Sequence, residues 1–283
     1  MIPVVRSAAE IADVVRGWKA HGHSVAFVPT MGSLHEGHRA LVVAAHGVAD
    51  RVVVSIFVNP LQFGPSEDFE RYPRDVDQDV AFLSDAPVDV VFCPSTEDVY
   101  PAGADRTSRV TAGPVGATFE GATRPGHFDG VLTVVTRLCD MVAPDYLVMG
   151  QKDAQQVFLV THVASRWRPP VEVVPVGTVR ADDGLALSSR NAYLSGAERH
   201  SALAIPAALR AAGDQSTGRR ALKAAQVILS QASGLGLDYL AIVDPHTFGT
   251  RADEATGGEG LMIVAARVGS TRLIDNALLT FGH

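Results

Sequence analysis

The sequence predicts an α/β protein: a parallel-sheet N-terminal domain over residues 1–178 and a smaller α+β domain over residues 179–283. Three observations carry this. Short apolar runs such as Ser24–Val28, Arg51–Val58 and Tyr146–Met149 do not alternate in polarity, as expected of strands buried on both faces. Stretches with helical apolar spacing separate them, and that alternation implies βαβ crossovers. Near Arg180 the texture changes, with the turn Ala181-Asp182-Asp183-Gly184 ahead of two helices and three strand-like runs.

Taken in order, Ser7 and Glu10 form a capping box ahead of a helix to about Ala20. The strand Ser24–Val28 leads through Pro29–Leu34 into a helix over His35–Ala49, with Leu41, Val42, Ala45 and Val48 on one face. The strand Arg51–Val58 follows, then a loop over Asn59–Pro73, a helix over Arg74–Ser84 and a strand over Val88–Phe92. A helix is expected over Val131–Val142, a strand over Tyr146–Met149, a helix over Ala154–Trp167 and a strand over Val171–Val176. In the second domain Ser195 and Glu198 form another capping box, for a helix to about Ala212. A helix over Arg220–Ala232 and strands over Leu237–Val243, Leu261–Val268 and Arg272–Ile274 complete the reading.

Composition narrows the function classes. Of 283 residues 47% are apolar and 19% charged, as in a globular protein and unlike a disordered or fibrous one. A net charge of −7 disfavours a broad surface for nucleic-acid backbone. No apolar run approaches the ~18 residues of a membrane span. Residues 1–20 hold Arg6, Glu10, Asp13, Arg16 and Lys19 without the apolar core of a signal peptide. Cys93 and Cys139 sit in apolar surroundings outside any C-x-x-C pair and are expected as buried free thiols. A cytoplasmic protein is the expectation.

The common nucleotide loops, G-x-x-x-x-G-K-[ST] and G-x-G-x-x-G, are absent. The informative segment is Met31-Gly32-Ser33-Leu34-His35-Glu36-Gly37-His38, between a strand and the helix after it. In an open α/β sheet ligands collect there, beyond the carboxyl ends of the strands. His35 and His38, three apart at a helix start, share a face beside free backbone N–H groups and the positive dipole end, which suits phosphate. At the level of spacing two other readings stay open. One is a zinc pair, although H-E-x-x-H is one residue longer and no third ligand stands near; the other is two surface histidines at a turn. Gly150-Gln151-Lys152-Asp153 follows another strand, and Leu187-Ser188-Ser189-Arg190-Asn191 places two hydroxyls and a guanidinium in a row. Together these groups describe a triphosphate site able to stabilise charge developing in adenylyl transfer.

The set Pro29–His38, Phe57-Val58-Asn59-Pro60-Leu61-Gln62-Phe63, Arg124-Pro125-Gly126-His127-Phe128, Gly150–Asp153 and Leu187–Asn191 resembles, in order and over nearly the whole chain, the pantoate–β-alanine ligase family. The resemblance implies a Rossmann-like N-terminal domain, a smaller C-terminal domain closing over the site, ATP with Mg²⁺, and a cytoplasmic homodimer acting on small molecules, with no nucleic acid or membrane partner. It implies that ATP and pantoate give pantoyl adenylate, which the β-alanine amine attacks. Carried over by motif, Met31, Gly32, Ser33, Leu34, His35, Glu36, Gly37 and His38 hold ATP, with His38 the catalytic histidine and His35 beside it. Gly150 and Asp153 meet the ribose and Lys152 the phosphates, with Gln151 among them; Val179 lies on the adenine side. Leu187, Ser188, Ser189 and Arg190 hold phosphates from the second domain, on a loop hinged at Asp182-Asp183-Gly184. Gln62 and Gln156 bind pantoate and β-alanine. His35, His38, Lys152 and Arg190 form the catalytic set; the Mg²⁺ ligands stay unassigned.

Two positions depart from the family pattern: Gln151 stands where Glu is usual, and Leu187 where Met is frequent. Another nucleotidyltransferase of the same superfold and a non-catalytic ATP-binding module are the competing functions.

Overall fold

A computed structural model describes residues 2–65, 67, 69–251 and 257–282. One compact unit comprises the described residues up to Gln151 together with Gln155–Gly177. Its order is β1 (Val4–Val5), α1 (Ala8–Ala20), β2 (Val25–Thr30), α2 (Glu36–Val48), β3 (Arg51–Ile56), α3 (Val76–Phe82), β4 (Val90–Phe92), α4 (Thr96–Val99), α5 (Glu120–Thr123), α6 (His127–Val142), β5 (Tyr146–Gly150), α7 (Ala154–Ala164) and β6 (Glu172–Val176). The six strands form one parallel sheet in the order β1-β4-β3-β2-β5-β6. The order reverses between β2 and β5, the switch point where α/β sheets bind ligands. The segment after β2 begins at Met31 and that after β5 at Gln151, so two of the three sequence motifs flank this point.

The strands are apolar because both faces are covered. Val25, Ala26, Phe27 and Val28 are fully buried, as are Val52 and Val53. One side packs on α1 and α6 through Ile11, Val131, Leu132 and Val135; the other packs on α2 through Val42 and Ala45. The Ser7–Glu10 capping box opens α1 as expected. Cys93 and Cys139 are both free and buried.

The second unit comprises Lys152–Ala154 and the described residues from Thr178 onward. It holds α8 (Gly196–Ala202), α9 (Ala204–Gly213), α10 (Gly218–Gln231) and an antiparallel sheet of β7 (Leu235–Val243), β8 (Gly258–Val268) and β9 (Thr271–Phe281). Ile205, Leu209, Ala221 and Leu229 pack on Met262, Val264 and Leu279.

Three readings change. The helix expected from Ser195 to Ala212 divides at Leu203, because Pro206 has no N–H for the carbonyl of Ala202 and its ring crowds that oxygen. The strand expected over Arg272–Ile274 runs on to Phe281 through the polar pair Asp275-Asn276. The helix expected from Val131 begins at His127, after Gly126 in the left-handed region at φ 79°. Among the described residues no helix is long and apolar enough to cross a membrane.

Candidate active site

The β2–α2 turn is built by backbone capture. Thr30 Oγ1 donates to the Ser55 carbonyl at 2.6 Å and accepts the Gly32 N–H at 3.2 Å. Gly32 (φ 81°) and Ser33 (φ 54°) both occupy the left-handed region. Asp79 of α3 closes the turn: Oδ2 accepts the Ser33 N–H at 3.0 Å and Oδ1 the Leu34 N–H at 2.8 Å. A Cβ on Gly32 would stand 2.7 Å from Asp79 Oδ2, so glycine is required by both φ and space. Asp79 is 4% exposed; burial raises its pKa, against the pull of the two N–H groups.

This turn delivers the two histidines in a fixed state. His35 is the N-cap of α2, and its Nδ1 accepts the Gly37 N–H at 3.1 Å. His38 reaches back, its Nδ1 accepting the His35 N–H at 3.2 Å. The reciprocal pattern is a capping box written in imidazole. Each Nδ1 lone pair is engaged, so in the neutral ring Nε2 carries the proton. The rings lie 4.2 Å apart between centroids. Two Nε2–H donors beside a helix N-terminus suit an oligophosphate. Glu36 is exposed and turns to Arg39 at 3.3 Å.

Gln62 is held at both ends. Asn59, 1% exposed, accepts from Tyr100 Oη at 2.7 Å and from the Leu61 N–H, and donates to the Gly130 carbonyl and to Gln62 Oε1 at 3.0 Å. All four of its amide hydrogen-bond positions are used. Gln62 Nε2 donates to Met31 Sδ at 3.1 Å, which brings the β3 loop against the β2 turn. The backbone approach is close: a Cβ on Gly130 would lie 2.2 Å from the Leu61 carbonyl oxygen.

The Arg124–Phe128 motif anchors the same residue from behind. Arg124 grips Glu67 with Nε and Nη2, both at 2.7 Å. Its Nη1 meets His127 Nε2 at 3.0 Å, while His127 Nδ1 meets the Gln62 carbonyl at 2.9 Å. His127 is therefore a neutral ring with its proton on Nδ1. Burial first, and the Arg124 charge second, push its pKa from 6.5 down to about 4. Between these values the unfolded chain binds a proton that the folded ring refuses. Stability is therefore full above pH 6.5 and falls as pH drops toward 4, by on the order of 3 kcal/mol. Urea midpoints across that window should show the slope in the parent and a flatter one in His127→Gln. Equal slopes would assign the loss to other groups.

Gln156 is half-buried on α7. Its neighbour Gln155 is structural: Oε1 accepts the Glu120 N–H at 3.2 Å and Nε2 donates to the Val115 and Thr118 carbonyls. Gly150 ends β5 and Gln151 opens a 3₁₀ turn with Lys152 and Asp153.

Within the second unit, Lys152 Nζ pairs with Asp153 Oδ2 at 3.2 Å. Val179 and Leu187 face each other across a short ribbon, the Leu187 N–H donating to the Val179 carbonyl at 2.9 Å. The Asp182-Asp183-Gly184 turn, expected as a hinge, is the tied tip of that ribbon. Ala181 N–H donates to Leu185 O at 2.9 Å, Asp183 Oδ1 accepts the Leu185 N–H at 3.1 Å, and Arg199 holds Asp183 at 2.8 Å. Ser188 caps the 3₁₀ turn Ser189–Tyr193 by accepting the Arg190 N–H at 3.3 Å, and Asn191 Nδ2 donates to the Ala186 carbonyl at 3.0 Å.

The model of the family described as pantoate-beta-alanine ligase matches residues 3–278. The chain belongs to the pantoate–β-alanine ligase family. Pantothenate synthetase of Leifsonia xyli is 53% identical over 258 residues, covering 90% of this chain and 89% of that protein. That of Acidothermus cellulolyticus is 50% identical, covering 89% of this chain and 84% of that protein. Crystalline pantothenate synthetase of Thermus thermophilus superposes with a TM-score of 0.90 at 44% identity, covering 98% of this chain and 99% of that one. A pantoate–β-alanine ligase of Francisella tularensis, complexed with a β,γ-ATP ligand and β-alanine, superposes at 0.80 and 32% identity, covering 98% of each chain. As a pantoate–β-alanine ligase family member, the chain has the expected α/β sheet with a separate small antiparallel sheet.

Asp79, Gln155 and the roles of Glu67, Asp275 and Asn276 lie outside what the sequence pattern marks. Asn59, Arg124 and His127 lie in its motifs without a role there.

Proposed function

We propose that this chain joins pantoate to β-alanine through a pantoyl adenylate. The observation that carries the reading is the imidazole capping box, which fixes both Nε2–H groups at a helix start on the sheet's switch point. A pantoate carboxylate oxygen attacks the α-phosphorus of ATP, the bond to the bridging oxygen breaks, and pyrophosphate leaves. The amine of β-alanine then attacks the acyl carbon, loses a proton, and AMP departs. His38 and His35 stabilise the charge of the transferring phosphate as Nε2–H donors, with Lys152 and Arg190 supplying the positive charge. Met31–His38, Gly150–Asp153, Val179 and Leu187–Arg190 bind ATP; Gln62 and Gln156 bind the acid and the amine. Among the described residues no three His, Cys, Asp or Glu side chains converge as a metal cage. Mg²⁺ enters with the nucleotide substrate, held by phosphate oxygens and water. The same reading makes residues 1–178 the ATP and pantoate domain, residues 179–283 a lid, and the chain a cytoplasmic homodimer, which sedimentation tests.

The deciding assay measures pyrophosphate release from ATP and pantoate, then AMP and pantothenate on adding β-alanine. Release that needs no carboxylate, or a nucleotide-containing final product, would point to another nucleotidyltransferase.

Gln62 gives a sharper expectation. A site amide that bonds substrate hydroxyls or carboxylate loses roughly 1–3 kcal/mol per buried partner when removed. Gln62→Ala should therefore raise the KM for pantoate about 10- to 100-fold and change that for ATP little. Equal effects on both would remove Gln62 from the pantoate site.

A further inference from the structure

Two consecutive side chains of β9 meet segments next to the second unit's cationic groups: Asn276 bonds the Lys152 main chain, and Asp275 the Arg180 side chain. Along β9, Leu273, Leu279 and Phe281 are buried toward the helices, while Arg272, Ile274, Leu278 and Thr280 of the opposite face stay partly or fully exposed. Asn276 breaks that alternation: it belongs to the second face yet is 7% exposed. Its Nδ2 donates to the Lys152 carbonyl at 2.9 Å. Asp275, 3% exposed, accepts from Arg180 Nη1 at 2.6 Å and Nη2 at 3.0 Å, and from the Asn276 N–H at 2.8 Å. Arg180 lies on the ribbon whose other strand runs into Leu187 and Ser188. One dipeptide thus ties the lysine turn and, through Arg180, the ribbon that leads into the Ser-Ser-Arg loop.

Burying an amide is costly unless it is bonded, and an apolar residue of this size would bury at lower cost. The bond to the Lys152 carbonyl is one that an apolar side chain at this position could not make. Lys152 reaches its target through four rotatable methylenes, and fixing its carbonyl fixes the origin of that reach. We propose that Asn276 is a positioning residue for Lys152, with Asp275 setting the Arg180 ribbon in the same frame. This rests on the reading that Lys152 meets the ATP phosphates.

The test is a double-mutant cycle read as single-turnover adenylation at saturating ATP and pantoate, with full-length enzyme. Asn276→Ala should lower the rate roughly 10- to 100-fold, the loss expected of an ångström-scale misplacement. The pantoate KM should stay within about twofold of the parent. In a Lys152→Ala background the same substitution should add less than about twofold, since the group being positioned is gone. A parent-like rate for Asn276→Ala, or losses that multiply in full, would overturn the proposal. An unaffected rate in Lys152→Ala alone would instead remove Lys152 from the phosphates, and this inference with it. Should Asn276→Ala not fold, Asn276→Leu fills the same volume without the donor and is read the same way.

Discussion

His38→Ala should slow pyrophosphate release from ATP and pantoate by roughly 10²–10³, the loss that follows removal of one preorganised donor to a transition-state oxyanion. The geometry adds a complication. His38 Nδ1 also accepts the His35 N–H, so alanine removes half of a capping box and costs about 1 kcal/mol of stability. His38→Gln separates the two effects. Glutamine at the third helical position restores the reciprocal cap but lacks a rigid Nε2–H at the imidazole's reach. Thermal midpoints should fall for the alanine variant and recover in the glutamine one, while both remain slow. A glutamine variant that recovers the rate along with stability would make His38 a structural cap and nothing more.

The β2–α2 turn is legible in the sequence because its causes are local. Gly32, His35 and His38 fall within seven consecutive positions at a helix start, and chemistry of so short a range shows in spacing, although the spacing gives a shared face and not the reciprocal cap. Asp79 is not legible: it reaches Ser33 from 46 positions away, and no local pattern marks an aspartate in an amphipathic helix as a turn anchor. Asn276 is the extreme case, 124 positions from Lys152. Here the pattern misleads, since Asp275 and Asn276 interrupt an apolar run and make β9 look like the short span Arg272–Ile274 rather than one that continues to Phe281. Polar residues in a strand look like its end when they are its anchor points. The start of α6 is hidden for a related reason. His127, Asp129 and Gly130 lack apolar spacing because His127 and Gly130 pack against the Gln62 segment and Asp129 accepts the Ala112 N–H. Pro206 is visible and marks the break between α8 and α9, although the continuous apolar spacing around it favours a single helix.

Arg190→Ala should show a double defect: adenylation slowed by roughly 10²–10³ and an intermediate that escapes. An acyl adenylate is hydrolysed by water, so an enzyme that makes one must keep solvent out until the amine arrives. The Leu187–Asn191 loop is suited to that task by its rigidity. The Leu187 N–H, the Arg190 N–H and the Asn191 amide are each tied, to Val179, Ser188 and Ala186, so its side chains are presented as one set. A guanidinium in such a set offers two parallel N–H donors to phosphate oxygens, whereas an ammonium offers a point charge. Arg190→Lys should accordingly restore only part of the rate. The experiment supplies labelled pantoate and ATP without β-alanine under single-turnover conditions, followed by rapid gel filtration. The parent enzyme should retain close to one label per subunit, and Arg190→Ala markedly less of what it forms. Full retention by Arg190→Ala would take Arg190 out of the seal. A parent enzyme that retains no label, while the complete reaction still yields pantothenate, would overturn the sequestered adenylate.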